Sequence, residues 1–460
     1  MTNKIYFLKP LLLATLCLMG VATHRQNIAL YGQQADAHWP TAAQERQPQE
    51  RQPQERQPQK KKVLTFSEYL ENVKSSNISY LAEQYNVNIA DAELKAAKVF
   101  PDPELSVSYG NNQNWDLEMG YNVDAELSYT LELGGKRKAR IRLAQSEKEM
   151  TEALLEDYFR HLRADATIAY LEALKQKSLL EIQHSSYQQM ASLARADSIR
   201  FKLGDITEVD ALQSRLEAAT MLNDLYESEG ELHDAMVQLA LLQGNVDAEL
   251  PRSIVGDLNY HPRDFDLPAL IIEAQNRRAD LQAALKSNEV SRNNLRLAKA
   301  NRAIDLGISM GGTYSSIVRN EIAPAPAFKG IMAGVSIPLK FSNANKGELR
   351  AARFAAEQQE KQYEAVQQQI SAEVLQAYHQ YMTARRQVEQ FNTGLLQEAE
   401  TIFRKKRYSY ERGETSILEV LNAQRTFNEV QVSYHETLFA CAAALVELQR
   451  ACGIWDIEMN

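Results

Sequence analysis

Cysteine is almost missing: three residues in 460, at positions 17, 441 and 452. Cys441 and Cys452 fall in or near one helical segment, too far apart along its axis for a mutual disulfide, and read as small core residues without redox work. Glycine (19) and proline (13) are scarce, so long helices can run unbroken. Basic residues do not outnumber acidic ones: 51 face 60, which removes the electrostatic case for nucleic-acid binding. There is also no phosphate-binding glycine loop, no His-Glu-x-x-His, no Cys-x-x-Cys and no nucleophile elbow. The histidines, among them His161, His184, His379 and His435, form no ligand pair on one helix face. The sequence therefore calls for no enzyme activity, no metal site and no cofactor.

Long apolar runs are missing too, except for one near the N-terminus. Lys4 and Lys9 precede the apolar stretch Leu11 to Val21, and Gly20-Val21-Ala22 offers a small-x-small cleavage site. Residues 1–22 thus read as an export signal; a membrane anchor would need about 20 apolar residues. Cys17 raises lipidation, but Ala14-Thr15-Leu16 before it is a poor lipobox and does not support a lipid anchor. Residues 23–63 read as a disordered linker, because Gln-Glu-Arg-Gln-Pro repeats three times over residues 44–58 and has nothing to bury. Folded structure is expected from about Leu64.

What is present is a duplication. Leu94-Lys95-Ala96-Ala97-Lys98 returns as Leu295-Arg296-Leu297-Ala298-Lys299, and Leu203-Gly204-Asp205 as Arg412-Gly413-Glu414. Leu241-Leu242-Gln243-Gly244 returns as Arg450-Ala451-Cys452-Gly453. An offset of roughly 200 residues suits a duplicated half-protein, so two repeats are expected at residues 64–250 and 251–460. Each reads helix, strand, strand, long helix, tight break, helix.

The strands alternate strictly. Val123, Ala125, Leu127, Tyr129, Leu131 and Leu133 are separated by Asp124, Glu126, Ser128, Thr130 and Glu132. Ile331, Ala333, Val335, Ile337, Leu339 and Phe341 repeat the pattern, and Leu105/Val107/Tyr109 and Leu306/Ile308/Met310 precede each. Such alternation over about ten residues is the pattern of a tilted strand with one face in lipid, or of a hairpin on a soluble core. The helices favour the first. From about Lys136 to Leu203 there is neither glycine nor proline, and from about Glu348 to Arg412 only Gly394 intervenes. Each would run roughly 100 Å, longer than a compact domain needs. Four strands cannot close a barrel, and an open edge in lipid leaves backbone groups unpaired, so several chains must share one barrel. Three chains would supply twelve strands.

These features together resemble the TolC family of outer-membrane efflux proteins, over about residues 64–453. The most specific stretches are Arg200-Phe201-Lys202-Leu203-Gly204 with Thr207, Val209, Asp210 and Ala211, and Arg407 to Gly413 followed by Ile417 to Gln424. Leu131-Glu132-Leu133-Gly134-Gly135-Lys136-Arg137 resembles the heavy-metal efflux branch. The resemblance implies a mainly α fold with a four-stranded β contribution. It implies a homotrimer whose outer-membrane β-barrel continues as a long periplasmic α-helical barrel, with outer-membrane lipid around the strands. A periplasmic adaptor and an inner-membrane pump would dock at the narrow end, where Gly204 and Gly413 make the helix turns. By the same resemblance Tyr410 is the gate tyrosine, Glu419 the first acid of the constriction, and Asp210 its counterpart in the first repeat. Asn422 stands where the family has a second acid, and Thr415 replaces a basic partner, so no locking salt bridge is expected at that position. The expected function is a passive outer-membrane duct of a tripartite efflux system. The competing reading is a periplasmic coiled-coil scaffold or adaptor without a pore.

Overall fold

The computed structural model describes residues 63–111, 118–245, 253–258, 263–339 and 345–456. The expected export signal and the repeat-bearing linker lie outside these residues, apart from Val63.

The first repeat opens with a short strand β1 (Val63–Leu64), then helices α1 (Phe66–Ser76) and α2 (Ile78–Ala97), strands β2 (Glu104–Asn111) and β3 (Tyr121–Leu131), and helices α3 (Lys136–Leu203) and α4 (Glu208–Leu242). The second follows β4 (Ser253–Ile254) with α5 (Leu267–Arg277) and α6 (Ala279–Ala300), β5 (Leu306–Ser315) and β6 (Phe328–Ser336), α7 (Lys346–Gln390), α8 (Leu396–Glu411) and α9 (Ile417–Cys452). Helix α3, 68 residues without a break, spans about 100 Å. The second long helix differs from expectation: Phe391–Leu395 form a π-turn between α7 and α8, where Gly394 adopts φ 114°. Only glycine accepts that value readily, so the one glycine of the run is where it bends.

The repeats also match in their joints. Asn77 caps α2 with its side chain and donates from Nδ2 to Leu242 O at the end of α4, 2.8 Å away. Arg278, at the start of α6, donates from Nη1 to Ala451 O near the end of α9 at 3.1 Å. Two short helices are thus stacked end to end beside each long one. Tyr170 from the first repeat and Tyr381 from the second both pin the one chain that joins the repeats: the Tyr170 hydroxyl donates to Val255 O at 2.6 Å, and that of Tyr381 to Arg263 O at 3.1 Å. Both tyrosines centre apolar clusters, one with Phe66, Tyr69 and Leu239, the other with Ile370, Val374 and Val388.

Strands β2–β3–β5–β6 form one antiparallel sheet in that order. The last strand ends at Ser336, short of the expected Phe341; Pro338 has no N–H to donate to a ladder. Cys441 and Cys452 are buried and free, and burial pushes their thiols up to about 11 and about 12, which keeps them protonated and inert.

Candidate functional site

Two places carry functional geometry, the sheet and the far end of the helices. In the sheet, register decides everything. Leu105 faces Leu127, which faces Met310, which faces Ala333; Val107, Ala125, Gly312 and Ile331 make the next row. Tyr129, Ile308 and Val335 continue the pattern on the same side. The opposite side carries Ser106, Glu126, Gly311 and Met332 in one row and Ser108, Asp124, Thr313 and Gly330 in another. The apolar side is bare: Leu105, Val107, Tyr109, Met310 and Val335 are each about two-thirds exposed and Ile331 more so. Leaving six such side chains in water forgoes about 10–15 kcal/mol, as much as the whole net stability of an ordinary domain. Such a face belongs against lipid or protein. Strands β2 and β6 are the two edges, and no other strand pairs with them among the described residues. No helix among the described residues is long and apolar enough to cross a membrane.

At the other end, α3 turns into α4 and α8 into α9 through the same closure. Asp205 N donates to Arg200 O and Glu414 N to Ser409 O, both at 2.9 Å, around Gly204 and Gly413 at φ 82° and 78°. A Cβ at either glycine would meet nothing within 4 Å, so backbone conformation alone selects glycine there. Asp210 closes a capping box: its Oδ2 accepts from Thr207 N at 3.4 Å, while Asp210 N donates to Thr207 Oγ1 at 3.2 Å. Glu419 and Asn422 are exposed on α9. Glu419 does have an ion pair, though not from position 415. Lys406 Nζ reaches its Oε2 at 2.5 Å across the turn and holds the carboxyl below its usual range.

Tyr410 is buried, and its hydroxyl donates to Asp197 Oδ1 at 2.9 Å. Asp197 has no exposed surface; Arg200 lies 3.8 Å from the same oxygen and 5.1 Å from the Tyr410 ring centre. Burial raises the Asp197 carboxyl above the usual carboxylate range despite these contacts. Around this pair Met190, Ala194, Met221, Phe403, Ile417 and Val420 form a small core. Further up, Arg425 donates from Nε and Nη2 to the buried Glu217 at 2.9 and 2.5 Å, and Ser186 Oγ donates to Asn428 Oδ1 at 2.8 Å. The two hairpins are thereby clasped within one chain. Sequence reasoning named Tyr410 but missed Asp197, Glu217 and Arg425. A signal existed: Ser186, Met190, Ala194 and Asp197 follow one another at helical spacing, an acid on a buried stripe.

A bare sheet face, open edges and a clasped helical end are features that an outer-membrane channel subunit would need. The model of the outer membrane efflux protein family matches residues 70–245 and 270–454, once in each repeat, and the chain belongs to that family. It is similar to the cobalt-zinc-cadmium resistance protein CzcC of Cupriavidus metallidurans, 26% identical over 391 residues, covering 85% of this chain and 90% of that one. It is also similar to the pyoverdine export outer membrane protein OpmQ of Pseudomonas putida, 26% identical over 345 residues (72% and 70%). Its fold matches the Campylobacter jejuni CmeC outer membrane channel at a TM-score of 0.70 and 16% identity, covering 84% and 85% of the two chains. The protein is thus an outer-membrane channel component of a tripartite efflux system, sited in the Gram-negative outer membrane and reaching into the periplasm.

Proposed function

We propose that three copies of this chain share a twelve-stranded barrel, and that the duct so formed exports metal cations delivered by an inner-membrane pump and a periplasmic adaptor. The observation that carries the trimer is the open four-stranded sheet with one bare apolar face. In lipid, its unpaired edges cost several kcal/mol per backbone group until another copy pairs with them. The metal assignment rests on the likeness to CzcC along most of both chains and on the Leu131 to Arg137 stretch.

The gate in this reading lies where α3 meets α4 and α8 meets α9. Tyr410 holds the hairpins together through Asp197. Glu419, beside the exposed Asn422, supplies one acid per protomer to a constriction of the trimer, and three such charges would favour cations. Asp210 and the turn glycines Gly204 and Gly413 keep the tip compact. Opening is a shift of the α8–α9 hairpin against α3 and α4 on adaptor binding, a two-state packing change.

Conductance of the purified trimer in a planar bilayer tests this. Small cation-preferring openings that lose their preference in Glu419→Gln support the constriction. Unchanged selectivity would remove Glu419 from the pore, and a folded protein that never conducts would remove the duct.

A further inference from the structure

A groove of about 380 Å³ runs between the start of α3 and the end of α6, just below the sheet. Its lining holds Lys138, Arg142, Arg296 and Lys299 and not one acid. All four side chains are exposed, in a protein whose net charge is −9. Elsewhere on this chain cations are commonly paired: Lys136 with Asp305, Arg140 with Glu132, Lys148 with Asp91, Lys286 with Glu149. Among the described residues none of the four groove cations makes an ion pair; Arg296 donates to the Asn293 side chain at 2.8 Å. Four like charges kept together without a counterion weaken a fold unless an anion joins them.

The direction of the two α3 cations follows from helix geometry. Glu132 and Asp305 directly follow and precede the paired residues Leu131 and Leu306, so by alternation both lie on the polar side of the sheet. Lys136 and Arg140 bind those two acids, and they are about 40° apart around α3. Lys138 and Arg142 stand about 200° and 240° from Lys136, on the opposite side of the helix. The two α3 cations of the groove therefore point away from the polar side of the sheet, at the level where its apolar face ends. Gly134 and Gly135, the corner between β3 and α3, form its rim. Phe100, 60% exposed with Arg137 stacked 4.0 Å from its ring centre, sits at the same corner.

We infer that this groove holds the phosphate headgroup of an anionic phospholipid in the periplasmic leaflet, with the acyl chains lying along the apolar sheet. The inference rests on the outer-membrane reading, since only a bilayer places phosphates beside that level. It lies between two helices of one chain, so each protomer carries a complete site. Cations at a membrane surface each contribute roughly fivefold in binding to anionic lipid.

Native mass spectrometry of the full-length protein, extracted in detergent and incubated with phosphatidylglycerol or phosphatidylethanolamine, tests it. Wild type should retain phosphatidylglycerol preferentially, and Lys138→Gln/Arg142→Gln should lower that retention about 25-fold. Lys138→Arg/Lys299→Arg should keep it, as should a control double neutralisation of the exposed Arg215→Gln/Arg386→Gln on α4 and α7. Equal retention of both lipids by a protein that still conducts in bilayers would overturn the site and leave the channel standing. Release of the lipid by millimolar inorganic phosphate would overturn the lipid assignment in favour of a free-anion site. Failure to insert into any bilayer would overturn both readings.

Discussion

Replacing Tyr410 by phenylalanine removes one oxygen and nothing else from the tip core. The ring keeps its place near Phe403 and Ile417, but Asp197 loses its only close donor from the other hairpin. Asp197 has no exposed surface, so water cannot substitute while the hairpins stay together. A hydrogen bond to a buried charged group contributes about 1.5–3 kcal/mol. Since the bond joins α8 to α3, its loss falls on the closed packing, and separation of the hairpins would let water reach Asp197. Each protomer's closed-to-open ratio should then fall roughly ten- to hundredfold. Single-channel recording at fixed salt would read this as longer or larger openings of Tyr410→Phe beside wild type. A double-mutant cycle with Asp197→Asn separates the bond from its surroundings: the two substitutions should be strongly non-additive. Wild-type conductance in Tyr410→Phe together with a lowered melting temperature would refute the gate. The bond would then be ordinary packing within the protomer.

Three further outcomes follow from the same geometry. Arg425→Ala strands the buried Glu217 carboxylate without its bidentate partner and should cost about 1.5–3 kcal/mol, read as a lower denaturant midpoint. Leu127→Lys puts a charge on the apolar side of the sheet and should cost about 2–4 kcal/mol of membrane insertion, while Ser128→Lys on the polar side should fractionate as wild type does. Asp197, raised above its unfolded carboxyl value, binds its proton more tightly in the folded state, so its contribution favours folding at low pH and declines as pH rises through the native value. Asp197→Asn should therefore gain stability relative to wild type as pH climbs from about 4 and level off above that value; a difference that stays flat in a pH series of urea midpoints contradicts the shift.

Much of this architecture could be read directly from the residues. The glycine- and proline-free run from Lys136 to Leu203 is the span of α3. Period-two alternation placed every one of Val123, Ala125, Leu127 and Tyr129 on one face, because a strand leaves no other choice. Gly204 and Gly413 were recognisable as turns, since a left-handed residue at a helix end favours glycine. Local chemistry determined all of these, and local chemistry is what a sequence displays.

Long-range placement was not legible. Tyr410 and Asp197 are 213 residues apart, and Arg425 and Glu217 are 208 apart; nothing in either neighbourhood names its partner. Threonine at position 415 left no ion pair to expect from that position, and nothing local showed that Lys406 would reach Glu419 from the preceding helix. The bend at Phe391–Leu395 likewise depends on whether packing rewards a straight helix through Gly394, and propensity alone is too weak to decide that. The order β2–β3–β5–β6 brings strands from both repeats into one sheet, and pairing across so long a chain is set by the packed helices beneath. Sequence determined the elements, the faces and the turns, because each depends on neighbours within a few residues. Tertiary structure decided which charges meet and which remain unpaired, because those depend on distances between helices that no local pattern encodes.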